Sequence, residues 1–143
     1  MRIKVAWFGK TREPAIQSLT DDYMKRIGRY ADIEALPLKD EDALLPTKAS
    51  GRNYLVLLDW RGKQLSSEEL ATFIDDHQQR NPLPLLFAVG PADGFGDRAR
   101  HSADFLLSLG KMTFAHELAR VILLEQLYRA FTILKKHPYH LGH

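Results

Sequence analysis

The sequence predicts an α/β fold: a mainly parallel sheet flanked by helices. Three observations carry this reading. The segments Tyr54-Leu-Val-Leu-Leu58 and Leu85-Leu-Phe-Ala-Val89 are apolar on both faces, as strands covered by helices on each side must be. Amphipathic helical spacings fall between the strand-like runs. Along the chain the order is β-α-β-β-α-β-α-β-α, the alternation of a layered α/β protein.

Each element has its own justification. Ile3, Val5 and Trp7 alternate with Lys4, Ala6 and Phe8 to make a first strand. Pro14 suits a first helical turn, and Ile16, Leu19, Tyr23 and Ile27 follow at spacings of three and four, ending near Gly28. Ile33 to Leu38 reads as a second, weaker strand. Residues 39–53 form a polar connector with room for one short helical turn. Tyr54 to Asp59 is the third strand. Ser66-Ser-Glu-Glu69 is a capping box with Leu65 as its hydrophobic staple, opening a helix that carries Leu70, Phe73 and Ile74. Asn81-Pro-Leu-Pro84 breaks that helix. Leu85 to Val89 is the fourth strand, Asp97 to Ala103 a short helix, and Phe105 to Leu109 the last strand. A long helix from about Ala115 to Lys136 follows, with Pro138 stopping anything beyond.

The 143 residues amount to one domain, 1–143, with no linker or internal repeat. A content of 45% hydrophobic and 27% charged residues excludes a disordered tail and fits a folded globule. The absence of cysteine excludes disulfides, thiolate nucleophiles and cysteine zinc sites, and fits a reducing compartment. The apolar runs are far too short to span a membrane, and the start breaks too early for a signal peptide, so a cytoplasmic protein is expected.

Charge is uneven. Residues 1–30 carry seven Lys/Arg against three Asp/Glu, 31–109 eight against thirteen, and 110–143 five against two; the balances +4, −5 and +3 sum to the formal +2. Two basic ends gathered around an anionic partner and a merely solvated surface both fit. On the last helix, Leu118, Val121, Ile122, Leu124, Leu127, Tyr128, Phe131 and Leu134 cover over half the circumference. They leave a polar stripe of Glu117, Arg120, Glu125, Arg129 and Thr132. One sheet needs an apolar face only ~100° wide, so a second copy of the chain, or a neighbouring helix, covers the remainder.

Two familiar phosphate motifs are excluded. Phe8-Gly-Lys-Thr11 resembles the end of a P-loop, but Lys4 stands where that motif needs its first glycine. No G-x-G-x-x-G follows the first strand. The glycines instead follow later strands: Gly90, Gly94 and Gly96 after one, Gly110 after another, with Leu58 and Asp59 closing a third. Neighbouring carboxyl-end loops could form one pocket, with backbone polar groups for contacts and Leu58, Met112 and Phe114 for walls; it would suit an adenosine-sized ligand. The same glycines could be turn residues alone. Asp93 is a candidate acid or base, or simply bonds its own turn. His77 and His101 read as surface residues.

The tail His137-Pro-Tyr-His140 is the other constellation. Histidine moves protons near neutral pH and tyrosine offers a stacking face. A metal site would need a carboxylate that is not nearby, so no metal is expected.

These segments together resemble a known family. Gly90-Pro-x-x-Gly94, Leu107-Ser-Leu-Gly-Lys-Met-Thr-Phe-Ala-His116, Leu118-Ala-Arg-Val121, Glu125-Gln-Leu-Tyr-Arg-Ala130 and the closing His137-Pro-Tyr-His140 are similar to the RlmH-type pseudouridine N3-methyltransferases of bacterial 23S rRNA, of the SPOUT class. The likeness extends to Val5–Gly9, Tyr23-x-x-Arg26 and Val56–Asp59. It departs in a shorter 39–53 stretch, an extra residue between Gly90 and Gly94, the Gly110-Lys111 loop start, and Leu141-Gly-His143 in place of a basic residue after His140.

The resemblance implies a C-terminal trefoil knot, an exception to the rule against threading. It implies a homodimer using S-adenosylmethionine on a pseudouridine of the assembled ribosome. Cofactor contacts would fall on Leu58, Gly90, Gly110, Lys111, Met112, Thr113, Phe114 and Ala115. The catalytic or substrate-binding group would be His116, Arg129, His137, Tyr139 and His140. A non-catalytic ribosome- or RNA-binding module, and a flavodoxin-like cofactor carrier, are the alternatives.

Overall fold

The computed structural model describes residues 1–45, 52–91 and 94–142. Its five strands are β1 (Arg2–Phe8), β2 (Asp32–Leu38), β3 (Tyr54–Gln64), β4 (Leu85–Val89) and β5 (Phe105–Ser108). They lie in the order β2-β1-β4-β3-β5, and every pairing is parallel. The helices are α1 (Pro14–Ile27), α2 (Ser67–Arg80), α3 (Asp97–Ser102) and α4 (His116–Leu134). A 3-10 turn at Glu41–Leu44 is the short turn expected in the polar connector.

The two faces of the sheet are covered unequally. Ile3, Val5, Val56, Leu85, Phe87 and Leu107 point to the face packed by α1, α2 and α4. Ala6, Leu55, Leu57, Leu86 and Ala88 point the other way, under Leu44, Phe95 and Ala99. Burial on both sides explains the near-continuous apolar runs of β3 and β4. The capping box of α2 is complete: Ser66 Oγ accepts from Glu69 N at 3.0 Å and Glu69 Oε1 accepts from Ser66 N at 2.8 Å.

Several expectations need correction. β3 does not end at Asp59 but runs on to Gln64, re-pairing with β5 through a bulge between Leu58 and Lys63. Gly62 permits this. A side chain there would bring its Cβ within 2.5 Å of the Leu106 carbonyl group. On α1, Leu19 is 43% exposed, and Thr20 takes the inward place, its hydroxyl donating to Ile16 O at 2.7 Å. His77 is buried, its ring edge-on to Tyr54 at 5.0 Å and its Nε2 2.7 Å from Leu83 O; His101 is exposed.

Helix α4 differs most. Its expected polar stripe is largely inside, since Glu117, Arg120 and Thr132 are all buried while Leu118 is 52% exposed. α4 packs against both α1 and α2 of its own chain, which cover most of its apolar surface. What is left is a half-exposed stripe of Leu118, Val121, Ile122, Glu125, Arg129 and Ile133. Pro138 does not end the structure either. Lys136 takes φ 56°, His137 N donates back to Thr132 O at 2.8 Å, and Pro138–Gly142 forms a 3-10 turn. That is a Schellman-type closure with lysine where glycine is usual.

Candidate active site

Because the strands are parallel, β1, β4, β3 and β5 deliver their carboxyl ends side by side at one edge. The segments leaving that edge enclose a cavity of about 300 Å³. Leu58, Gly90, Gly110, Met112, Thr113 and Phe114 line it, and so does His116 at the start of α4; Lys111 and Ala115 do not. Gly110 has φ +124° and open space where a side chain would be, so its backbone approaches the cavity bare. Gly90 has a different reason: a Cβ there would come within 2.8 Å of the buried Phe95 ring. Asp93, Ala92 beside it and His143 lie outside the described residues.

Sequence reasoning missed Trp60. It lines the cavity, 73% exposed, on the extension of β3. Its base is fixed by Asp59, whose carboxylate takes Arg61 Nε at 3.0 Å, Arg61 Nη2 at 3.2 Å and Arg61 N at 2.9 Å. Burial pushes the Asp59 carboxyl up, but the Arg61 hydrogen bonds and charge outweigh it and the net shift is downward. A tryptophan directly after a buried strand was the available signal.

The start of α4 is tied to the loop after β1. Glu117 accepts from Arg12 N at 3.2 and 3.3 Å and from Glu13 N at 3.3 Å. Burial raises its carboxyl, but these N–H groups and the nearby Arg120 and His116 charges prevail, so its pKa lies below the ordinary value. Arg120, 1% exposed, donates to Thr11 Oγ1 at 2.8 Å and stands 4.1 Å above the Trp7 ring. Its Nε has no hydrogen-bond partner among the described residues.

The tail clusters at the far end. Tyr139 Oη donates to Glu125 Oε2 at 2.9 Å, and its ring meets Tyr128 edge-on at 4.7 Å. Arg129 pairs with Glu125 at 2.8 Å and stands 5.3 Å from the Tyr139 ring centre. Burial, with Tyr23 and Glu125 as neighbours, pushes the Tyr139 phenol well up. His137 Nδ1 accepts from Tyr139 N at 3.1 Å, while His140 Nδ1 is buried with no hydrogen-bond partner among the described residues. So Arg129, His137, Tyr139 and His140 gather together, and His116 alone of the five stands at the cavity. At ~1.5 Å per residue, Glu125 and Arg129, which hold Tyr139, stand about 14 and 20 Å along α4 from His116, so the two groups are separate.

Among the described residues, no group of three or more His, Asp or Glu side chains could hold a metal ion. Among the described residues no helix is long and apolar enough to cross a membrane.

The model of a family described as "Predicted SPOUT methyltransferase" matches residues 1–140. The chain belongs to the SPOUT methyltransferase family. It is 53% identical over 146 residues to the Ribosomal RNA large subunit methyltransferase H of Koribacter versatilis (strain Ellin345), covering 100% of both chains. It is 42% identical over 156 residues to the protein of that name in Geotalea daltonii, covering 98% of this chain and 99% of the relative. Among solved structures it is similar to a tRNA (m1G37) methyltransferase from Aquifex aeolicus, with TM-score 0.56, 14% identity, and 90% of this chain and 70% of that one covered. A probable methylase family protein from Haemophilus influenzae gives TM-score 0.57 at 9% identity, over 98% and 69%. These likenesses place the parallel sheet in the α/β-knot fold of the SPOUT class.

SPOUT methyltransferases use S-adenosylmethionine, and the cavity fits it. Met112, 80% exposed, with Phe114 and Leu58 offers apolar walls to a flat ring system. The bare backbone at Gly110 leaves polar groups within reach of a ligand.

Proposed function

We propose that this chain methylates N3 of a pseudouridine in the 23S rRNA of the assembled ribosome, acting in the cytoplasm as a homodimer of single-domain protomers. The full-length identity to proteins named Ribosomal RNA large subunit methyltransferase H carries the reading. Bound S-adenosylmethionine supplies a methyl group on a positively charged sulfur, which departs as a neutral thioether.

The chain's own task is to bind, orient and move one proton. Leu58, Gly90, Gly110, Met112, Thr113 and Phe114 hold the donor. The nucleophile is an imide nitrogen that must lose its proton as the N–C bond forms. A neutral histidine accepting that proton contributes about 10²–10⁴-fold. His116 borders the donor cavity directly. His137 and His140 belong to the tail that packs against Glu125 and Tyr128, well along α4 from the cavity of their own chain, so they serve the cavity of a second copy. The half-exposed stripe beginning at Leu118 is the surface on which that copy docks. Arg129 and Tyr139 hold the tail in place.

Unmethylated ribosomes incubated with labelled S-adenosylmethionine should acquire label on one pseudouridine at N3. Label on no RNA, or on another base, overturns the reading. The double substitution His137→Gln with His140→Gln should keep S-adenosylmethionine binding by calorimetry and lower transfer about a hundredfold or more. Unchanged turnover would remove both histidines from the mechanism.

A further inference from the structure

The donor cavity has a neighbour that the proposed chemistry leaves without a task. Phe8, Gly9, Lys10, Arg12, Pro91 and His116 line a second cleft of about 620 Å³. It shares Pro91 and His116 with the first, so the two open against a common wall. The loop that forms it is the Phe8-Gly-Lys-Thr11 segment, which cannot be a P-loop.

This loop is clamped from the inside. Gly9 N donates to Leu38 O at 3.3 Å, and Thr11 Oγ1 accepts from buried Arg120. The Glu117 carboxylate is taken up by the Arg12 and Glu13 backbone N–H groups and balanced by Arg120 and His116. Lys10 and Arg12, on either side of the inward Thr11, are exposed and line the cleft. Among the described residues neither has a carboxylate within ion-pairing distance. Glu13 ends the loop but does not line the cleft. Two unpaired cations on a rigid backbone, beside the donor cavity of a chain with formal charge only +2, are placed to hold a polyanion in one position.

We propose that this cleft grips the RNA backbone: Lys10 and Arg12 bind phosphates flanking the target nucleotide and thereby set the nucleotide against the wall that His116 shares with the donor cavity. The proposal takes its substrate class from the methyltransferase reading. Phosphate contacts position a nucleic acid without reading its bases, so these two are positioning residues.

The test compares wild type, Lys10→Gln with Arg12→Gln, and the charge-preserving Lys10→Arg with Arg12→Lys. Three quantities are measured: S-adenosylmethionine affinity, KM and kcat on unmethylated ribosomes, and the salt dependence of binding to deproteinised large-subunit rRNA. The neutral variant should bind the donor normally, raise KM about tenfold or more, change kcat less than about threefold, and flatten the slope of log K against log salt by about 1.4–1.8 for two phosphates. The charge-preserving variant should restore the slope. Unchanged KM and slope overturn the grip. So does weaker binding to ribosomes with an unaltered slope on deproteinised RNA, which assigns the cleft to an acidic ribosomal protein. If wild type binds RNA steeply but transfers no methyl group, the methyltransferase reading fails; a flatter slope in the neutral variant still supports the grip.

Discussion

The two ends of α4 hold their neighbours in opposite ways. At the amino end, Glu117 and Arg120 are buried and bind β1 and the loop after it through the Trp7 ring, a hydroxyl and two backbone N–H groups. In the carboxyl half, Glu125 and Arg129 hold Tyr139 of the tail through partly exposed side chains, the tail turning back at a lysine held at positive φ. Removing one partner of a buried charge leaves the other buried without compensation and is costly, whereas partly exposed pairs contribute little. The comparison teaches that the cavity end is a fixed frame and the tail end a detachable one.

Breaking the fixed end should have the largest effect. Arg120→Ala removes a buried cation with its cation–π and hydroxyl contacts and should destabilise the fold by about 3–5 kcal/mol in urea titrations. A loss below 1 kcal/mol would put both ends on the same footing.

Glu117→Gln should act through pH. The wild-type carboxylate has a lowered folded pKa, so its stabilisation is complete above the ordinary glutamate value. It is lost as pH falls through the lowered folded value. The urea midpoint of the glutamine variant should therefore change less between pH 6 and about pH 3 than that of wild type. Parallel curves would deny Glu117 its role at the fixed end.

At the detachable end, Tyr139→Phe deletes the bond to Glu125 and should cost about 0.5–1.5 kcal/mol. Amide exchange in 137–142 should quicken while that of the α4 interior is unaltered. Leu118→Arg should change the stability of the isolated chain by no more than about 0.5 kcal/mol, because Leu118 is already half exposed. In sedimentation the variant should run as a monomer; a persistent dimer would move the docking surface elsewhere.

The elements were legible because their causes are local. Apolar periodicity, Pro14, the Ser66–Glu69 box and the Asn81–Pro84 break each act within a few residues. The two-sided burial of β3 and β4 shows in their composition for the same reason. What escaped depends on partners far along the chain. Arg120 reads as a surface cation until Trp7 and Thr11, more than a hundred residues earlier, are brought beneath it. The continuation of β3 through polar residues depends on Gly62 meeting the backbone of Leu106. The glycine turns and Met112–Phe114 could be named as one candidate pocket because parallel strands must end together. That the tail packs on the carboxyl half of α4, away from that pocket, needed the contacts of Tyr139 with Glu125 and Tyr128, which no motif contains.

The span of α4 is therefore a gauge as well as a scaffold. One residue more or fewer would advance the tail by ~1.5 Å and swing it about 100° around the axis. Insertions or deletions in this segment should be tolerated only near whole turns, in steps of three or four residues. Any such step must be matched by the surface against which the helix is measured.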